Sequence, residues 1–259
     1  MNYTQCIYFQ LLKEAAELGE ILNKPQVSSY REIVARLKTG YDKLFWDEEA
    51  GFYIDYITPN GKRMKKMSQD VCLAFIFGLT DDRERMKRHL AKLKEKCWTK
   101  WGPKHHEGYV DGNTYDPLGF YCNGGVWMWL TAFEAYAHFQ YGNPEDGISA
   151  LNAIKEYEFG KNPYSEVYFD TTEWHDSING LNCEYDWKEC RNFTTGSGSH
   201  VWAVICGLYG LQISMKGDIT WNPRFPVSWQ GKPVALNNIR VGDNTTHKVF
   251  TFNGKWTSS

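Results

Sequence analysis

Residues 3–46 read YTQCIYFQLLKEAAELGEILNKPQVSSYREIVARLKTGYDKLFW. In the first half Ile7, Leu11, Ala15, Leu18 and Leu22 recur at spacings of three and four, which marks one face of an amphipathic helix. After Lys24, Pro25 and Gln26, Ser28 or Ser29 supplies an N-cap, and Ile33, Leu37 and Leu44 carry a second helical stripe toward Phe45 and Trp46. Two antiparallel helices joined by a few residues form a helical hairpin. Such a hairpin cannot bury both faces alone and has to stack on more of its kind.

The rest of the chain repeats that unit. Residues 51–65 first break it: Phe52, Ile54 and Tyr56 alternate and Pro59, Asn60 and Gly61 turn the chain, which predicts a short β-hairpin outside the helical core. Helical patterning returns over 68–77 and stops at Gly78; Asp81 or Asp82 then caps a helix to about residue 96, with Met86, Leu90 and Leu93 facing inward. A loop over 98–121 leads to a helix over 126–141, and Pro144 opens its partner, which extends to 159. Residues 162–195 show no period, and 201–211 form a last apolar helix. From Ile213 the pattern changes to turns and alternating runs. The expectation is a mainly α chain of about seven helices, with a helical-hairpin region over 1–212 and a β-rich cap over 213–259.

Composition limits the function classes. Lys and Arg total 29 against 31 Asp and Glu, a net charge of −2, so no general attraction to nucleic acid is implied. Charged residues at 23% and hydrophobic ones at 42% suit a packed protein. No stretch nears the roughly 20 apolar residues of a membrane span. The opening ten residues are polar where a secretory signal is apolar, which leans toward the cytoplasm but leaves the compartment open. Asn192 and Asn244 both begin triplets that fit the glycosylation pattern. Seven scattered cysteines with no CxxC pair suit neither a zinc module nor a disulfide scaffold, so most are expected reduced and buried. The 11 Trp, 16 Tyr and 14 Phe exceed what a core of this size needs, so some are expected to grip a ligand.

Three constellations could carry chemistry. In YCNGGVWMWL (121–130) a glycine pair opens a helix whose first turn holds Trp127 and Trp129; the glycines admit a ligand to the backbone, or the tryptophans merely pack. Upstream lie Asp111, Asn113 and Tyr115 with His105 and His106, but adjacent histidines share no helix face and no third ligand stands at metal spacing, so no metal or other cofactor is expected. The second is the loop with Glu173, Trp174, His175, Asp176, Glu184, Tyr185, Asp186 and Trp187. Glycosidic cleavage needs one protonated and one ionised carboxyl group, with aromatics on the sugar rings, and this loop offers candidates for one of them. The third is TTGSGSHVW (194–202), small hydroxyl and glycine residues at a helix start, where free amides hold anions or sugar hydroxyls.

The order and spacing of these blocks resemble the back half of the six-hairpin glycosidase superfamily, the (α/α)6 barrels. YCNGGVWMWL resembles the aromatic and glycine segment before a Val-Trp-x-Trp helix in glycogen-debranching and processing-glucosidase relatives. CEYD (183–186) followed by FTTGSGSHVWAV resembles their carboxylate loop leading into the last barrel helix. FWDEEAGFYIDY, SQDVCLAFIFGLTDD and WNPRFPVSW are similar to the preceding hairpins and to the crossing into the β cap. The resemblance implies a partial (α/α)6 toroid acting on an oligosaccharide or glycoside. Glu184 would be the general base of an inverting hydrolase, Asn123, Trp127 and Trp129 would line the sugar cleft, and Gly196, Ser197 and Ser199 would border it.

The family's acid, an Asp, lies upstream of the helix that begins at Tyr3, and a closed toroid needs about twelve helices. The sequence therefore reads as a fragment, as one half whose missing N-terminal half comes from another chain, or as a protein that has lost its acid. An open barrel would expose apolar helix faces, which points to a homo-oligomer as another partner. Two further readings stay open. Disaccharide phosphorylases such as cellobiose phosphorylase resemble the chain at NGGVW, at the Thr-Gly-Ser run and at the Pro-x-x-Trp tail, and there phosphate would replace the attacking water. A noncatalytic carbohydrate-binding or scaffold domain would keep the cleft wall without the acid.

Overall fold

The computed structural model describes residues 2–108, 117–154, 174–175, 177–178, 194–241, 244–252 and 256–258. Seven α-helices lie among them: α1 (Asn2–Ile21), α2 (Val27–Phe45), α3 (Val71–Phe77), α4 (Arg83–Cys97), α5 (Met128–Tyr141), α6 (Pro144–Ile154) and α7 (Thr194–Trp202). α1 packs on α3, α3 on α5 and α5 on α7, so the odd-numbered helices form a row. α2 packs against α1, while α4 and α6 pack against α5. This mainly helical arrangement is part of an (α/α)6 toroid, with small β-hairpins at its C-terminal end.

The hairpin boundaries follow local chemistry. The Asp82 side chain accepts from the Arg85 amide at the start of α4, and Gly78 ends α3 in the left-handed conformation, with φ of 78°. One core cluster joins α1 to α4 around Tyr41, Phe45, Tyr53, Phe75 and Leu90. A second unites Ala135 and Phe139 of α5 with Ala150, Leu208, Phe225, Val234 and Phe250, so the C-terminal strands seal the far end of the helical row. Those strands are β9 (Leu211–Ile213) paired with β10 (Ile219–Trp221), and β11 (Val234–Val241), β12 (Asn244–Phe252) and β13 (Trp256–Ser258) in an antiparallel sheet. No described helix is long and apolar enough to cross a membrane.

Four local expectations are corrected. The α1 stripe Ile7, Leu11, Leu18 and Leu22 is exposed, and Cys6, Phe9, Leu12, Ala16 and Gly19 are buried instead. Small residues let α1 approach its neighbours closely: a Cβ on Gly19 would lie 2.8 Å from Val27 Cγ2. The segment expected outside the core is partly inside it, since β2 (Phe52–Tyr53) pairs with β1 (Trp46–Asp47) and Phe52, Tyr53 and Ile54 are buried. The Tyr53 hydroxyl donates to Asp42 at 2.8 Å and meets the Thr80 hydroxyl at 3.1 Å. Only β3 (Tyr56–Ile57) and β4 (Arg63–Met64) are half-buried.

The helix expected from 126 begins at Met128, because Val126 and Trp127 are drawn into strand pairing as β7 (Val126–Trp127). The last helix begins at Thr194 rather than 201 and continues as a π-helix over Ala203–Leu208. Gly196, Ser197 and Ser199 are thus helical and not in a preceding loop; packing of α7 on α5 overrides two glycines of poor helix propensity.

Candidate active site

The turn over 119–125 is built by close backbone approach. The Gly119 amide donates to the Asn123 carbonyl at 2.8 Å and the Asn123 amide to the Phe120 carbonyl at 2.7 Å. Tyr121 has a positive φ of 34° and Gly124 one of 94°. A Cβ on Gly124 would stand 3.2 Å from the His106 carbonyl oxygen, so the backbone conformation favours glycine there and the space for a side chain is tight. His106 staples the two loops together. Its Nδ1 accepts the Gly108 N–H at 2.7 Å, so Nε2 carries the proton and donates to the Cys122 carbonyl at 2.9 Å. Burial lowers the His106 pKa, consistent with this neutral ring. His105 donates from Nδ1 to the Gly125 carbonyl at 3.2 Å, and burial, with His106 adding, brings its pKa down to about 3.

Aromatic rings line the start of α5. Trp127 is only 8% exposed and its indole N–H donates to the Tyr121 carbonyl at 3.2 Å, so that donor is already spent. Its ring lies 5.0 Å from Tyr121, 6.0 Å from His105 and 6.4 Å from Trp129. Trp129 is half-buried and packs edge-on against Tyr3 at 6.0 Å and Phe133 at 5.5 Å. Phe133 in turn meets Trp202 of α7 at 5.5 Å. The row therefore joins the first and third constellations. Asn123 and Ser197 are each 1% exposed, Gly196 is buried and Ser199 half-buried. Burial pushes the His200 pKa down to about 4.

The second constellation touches the first through backbone. β8 (Trp174–His175) pairs antiparallel with β7, matching Val126 with His175 and Trp127 with Trp174. The Ser177 amide donates to the Gly119 carbonyl at 2.9 Å, and the Trp101 indole to the Ile178 carbonyl at 3.0 Å. The segment flanking Glu173 and Asp176 is thus stitched along the glycine turn. Glu184 itself lies outside the described residues, as do Glu173, Asp176, Tyr185, Asp186, Trp187, Asp111, Asn113 and Tyr115. Among the described residues no group of three or more His, Cys, Asp or Glu side chains could hold a metal ion.

Two carboxyl groups went unnoticed in the sequence. Glu134, fully buried, accepts from Gln69 Nε2 at 2.6 Å and from the Trp98 indole, with His138 Nε2 at 3.7 Å. It ties α5 to the chain before α3 and to the start of β5 (Trp98–Thr99), and having no exposure it acts as a structural anchor. Its signal was legible: Thr131, Glu134 and His138 stand three and four apart on one face of an otherwise apolar helix. Asp70 is pushed up to about 7 by burial, with the Asp55 charge adding to the shift. Asp70 raises the Tyr3 hydroxyl in turn, behind the desolvation of that ring. No spacing in the sequence announces that effect.

Comparisons with known proteins agree with this architecture. The family description "Mannosylglycerate hydrolase MGH1-like glycoside hydrolase domain" matches residues 4–187. N,N'-diacetylchitobiose phosphorylase of Vibrio proteolyticus is 24% identical over 96% of this chain and 34% of its own length. A solved structure described as a sialidase superposes with a TM-score of 0.74 at 14% identity, covering 96% of this chain and 23% of that one. A GH63 mannosylglycerate hydrolase from Thermus thermophilus, in complex with glucose, gives 0.56 at 17% identity over 79% of this chain and 44% of that one. At such identities the structural likenesses bear on fold alone, and the chain spans about a third of the length of its curated relative. With most of its length matched by the family description, the chain belongs to the mannosylglycerate hydrolase MGH1-like glycoside hydrolase domain family, among the six-hairpin glycosidases.

Proposed function

We propose that this chain supplies the aromatic wall and the general base of an inverting glycoside hydrolase acting on an oligosaccharide or glycoside. In this reading the Glu184 carboxylate takes a proton from water, and the oxygen of that water attacks the anomeric carbon. A protonated acid on the other side donates to the departing oxygen. The acid is a carboxyl of the complete enzyme and is not assigned to this chain. Trp129 offers the ring for a sugar face, while Asn123, Trp127, Gly196, Ser197 and Ser199 shape the wall behind it. The supporting observation is the ladder between β7 and β8, which runs the acidic loop's strand alongside the tryptophan row. Glu184→Gln in the intact enzyme should cost at least about 100-fold in turnover, the scale of general-base assistance. Unchanged hydrolysis rejects the assignment.

A second reading, phosphorolysis, is favoured by the start of α7 at Thr194. The Thr-Gly-Ser run forms the first turn of this nine-residue helix, at the positive end of the helix dipole, a setting suited to an anion. The Vibrio proteolyticus relative is named as a phosphorylase. Turnover that requires inorganic phosphate and releases a sugar phosphate selects this reading; turnover in phosphate-free buffer selects hydrolysis. Saccharide binding without product under either condition selects a noncatalytic binding domain.

A further inference from the structure

The outward face of α1 carries the largest group of exposed apolar side chains on any described helix: Ile7 at 42%, Tyr8 at 43%, Leu11 at 60%, Leu18 at 46% and Ile21 at 47%, with Leu22 at 53% just past the helix end. These six are arranged as a palindrome. Ile7, Tyr8 and Leu11 stand as far before the midpoint between Glu14 and Ala15 as Leu22, Ile21 and Leu18 stand after it. A two-fold interface requires that each residue meet a counterpart which it also serves. An antiparallel pair of α1 helices crossing between Glu14 and Ala15 satisfies this, since Ile7 falls beside Leu22 of the other copy, Tyr8 beside Ile21 and Leu11 beside Leu18. The small Ala15 at the crossing lets the helices approach, with the bulky residues closing the seam on both sides.

We infer that α1 is the seam of a symmetric dimer, occupied by a second copy of this chain. Each of the six side chains still exposes roughly 100 Å², so pairing two copies removes on the order of 1,000 Å², the lower limit for a specific interface. The dimer is accordingly weak and concentration-dependent. Glu14 is the one charged residue in the stripe, and its carboxylate, held along the helix by Gln10 Nε2 at 2.7 Å, approaches its own copy at the two-fold. The seam is therefore tunable from a single position.

Sedimentation equilibrium of the full chain between micromolar and a few hundred micromolar tests this. The expected result is a reversible monomer–dimer equilibrium. Leu11→Glu and Leu18→Glu, both at exposed positions, should abolish it with unchanged circular dichroism, and Glu14→Leu should tighten it by on the order of tenfold, as a like-charge pair gives way to buried apolar surface. Ala15→Cys should cross-link to itself faster than the parent chain, whose own cysteines, with Cys122 exposed among the described ones, set the background. A chain that stays monomeric even as Glu14→Leu overturns the inference and leaves the face to other helices of a larger toroid. A dimer that survives Leu11→Glu together with Leu18→Glu overturns it equally.

Discussion

Replacing Asp70 by Asn should stabilise the protein at alkaline pH and leave it almost unchanged in acid. Burial, with Asp55 adding, raises the Asp70 carboxyl from 3.8 to about 7. A folded-state pKa above the unfolded one means the folded chain binds the proton more tightly, so the contribution is full below pH 3.8 and is lost as pH rises toward 7. Integrated over that window the loss reaches about 4 kcal/mol by pH 8. Asp70 keeps some solvent contact, so screening reduces the expected loss to about 2 kcal/mol. The amide of Asn carries no charge at any pH, and Asp70 makes no side-chain cap hydrogen bond at the start of α3 for the change to remove. Thermal melts of both proteins should therefore diverge with pH: a difference near zero at pH 4, and a gain for Asp70→Asn of about 4–8 °C at pH 8. Equal melting at pH 8, or a variant destabilised alike at both values, would refute the reasoning.

Three other outcomes follow from the packing. His89 is fully buried, its Nδ1 accepting the Tyr53 N–H at 3.2 Å, and burial, with His138 adding, holds its pKa down to about 3. Its contribution is present above pH 6.5 and lost as pH falls toward 3, about 2 kcal/mol of it by pH 5; an imidazole NMR titration should show no His89 transition near 6.5. Glu134→Ala leaves the Gln69 amide and the Trp98 indole without their acceptor and should cost about 3–5 kcal/mol in urea unfolding, with Glu134→Gln costing less. Gly210→Ala sets a Cβ 2.0 Å from the Asn222 carbonyl oxygen at a φ of +70°, and should cost about 3 kcal/mol or more, seen as a lower urea midpoint.

Much of the architecture was legible because helix period, caps and breakers are local properties. Asp82 and Gly78 mark their helix ends as their chemistry dictates. Which face of α1 is buried was not legible, because Cys6, Ala16 and Gly19 win their place by smallness against neighbours, and hydropathy favours the bulkier opposite stripe. The extension of α7 back to Thr194 also depends on tertiary contact: Gly196 and Gly198 are poor helix formers, and the helix they belong to packs on α5. At the site, NGGVW marks a turn ahead of a helix, but only Trp129 of the two tryptophans is helical, Trp127 being held in β7, and the two rings differ in environment. Trp127 is almost wholly buried with its N–H bonded to Tyr121, whereas Trp129 is half-buried among Tyr3, Phe133 and Trp127. The contact of Tyr3 with Trp129 spans most of the helical row's sequence, and no local pattern carries it.

The central claim is the proposed saccharide cleft, with Trp127 of β7 and Trp129 of α5 in its wall and Glu184 as its base. Calorimetric titration of the protein with a panel of neutral oligosaccharides tests it most directly, comparing the parent with Trp129→Ala and Glu184→Gln. The account predicts binding by the parent, a loss of about 1–2 kcal/mol in Trp129→Ala as a stacking ring is removed, and retained binding in Glu184→Gln. Equal affinity in the parent and Trp129→Ala would contradict it.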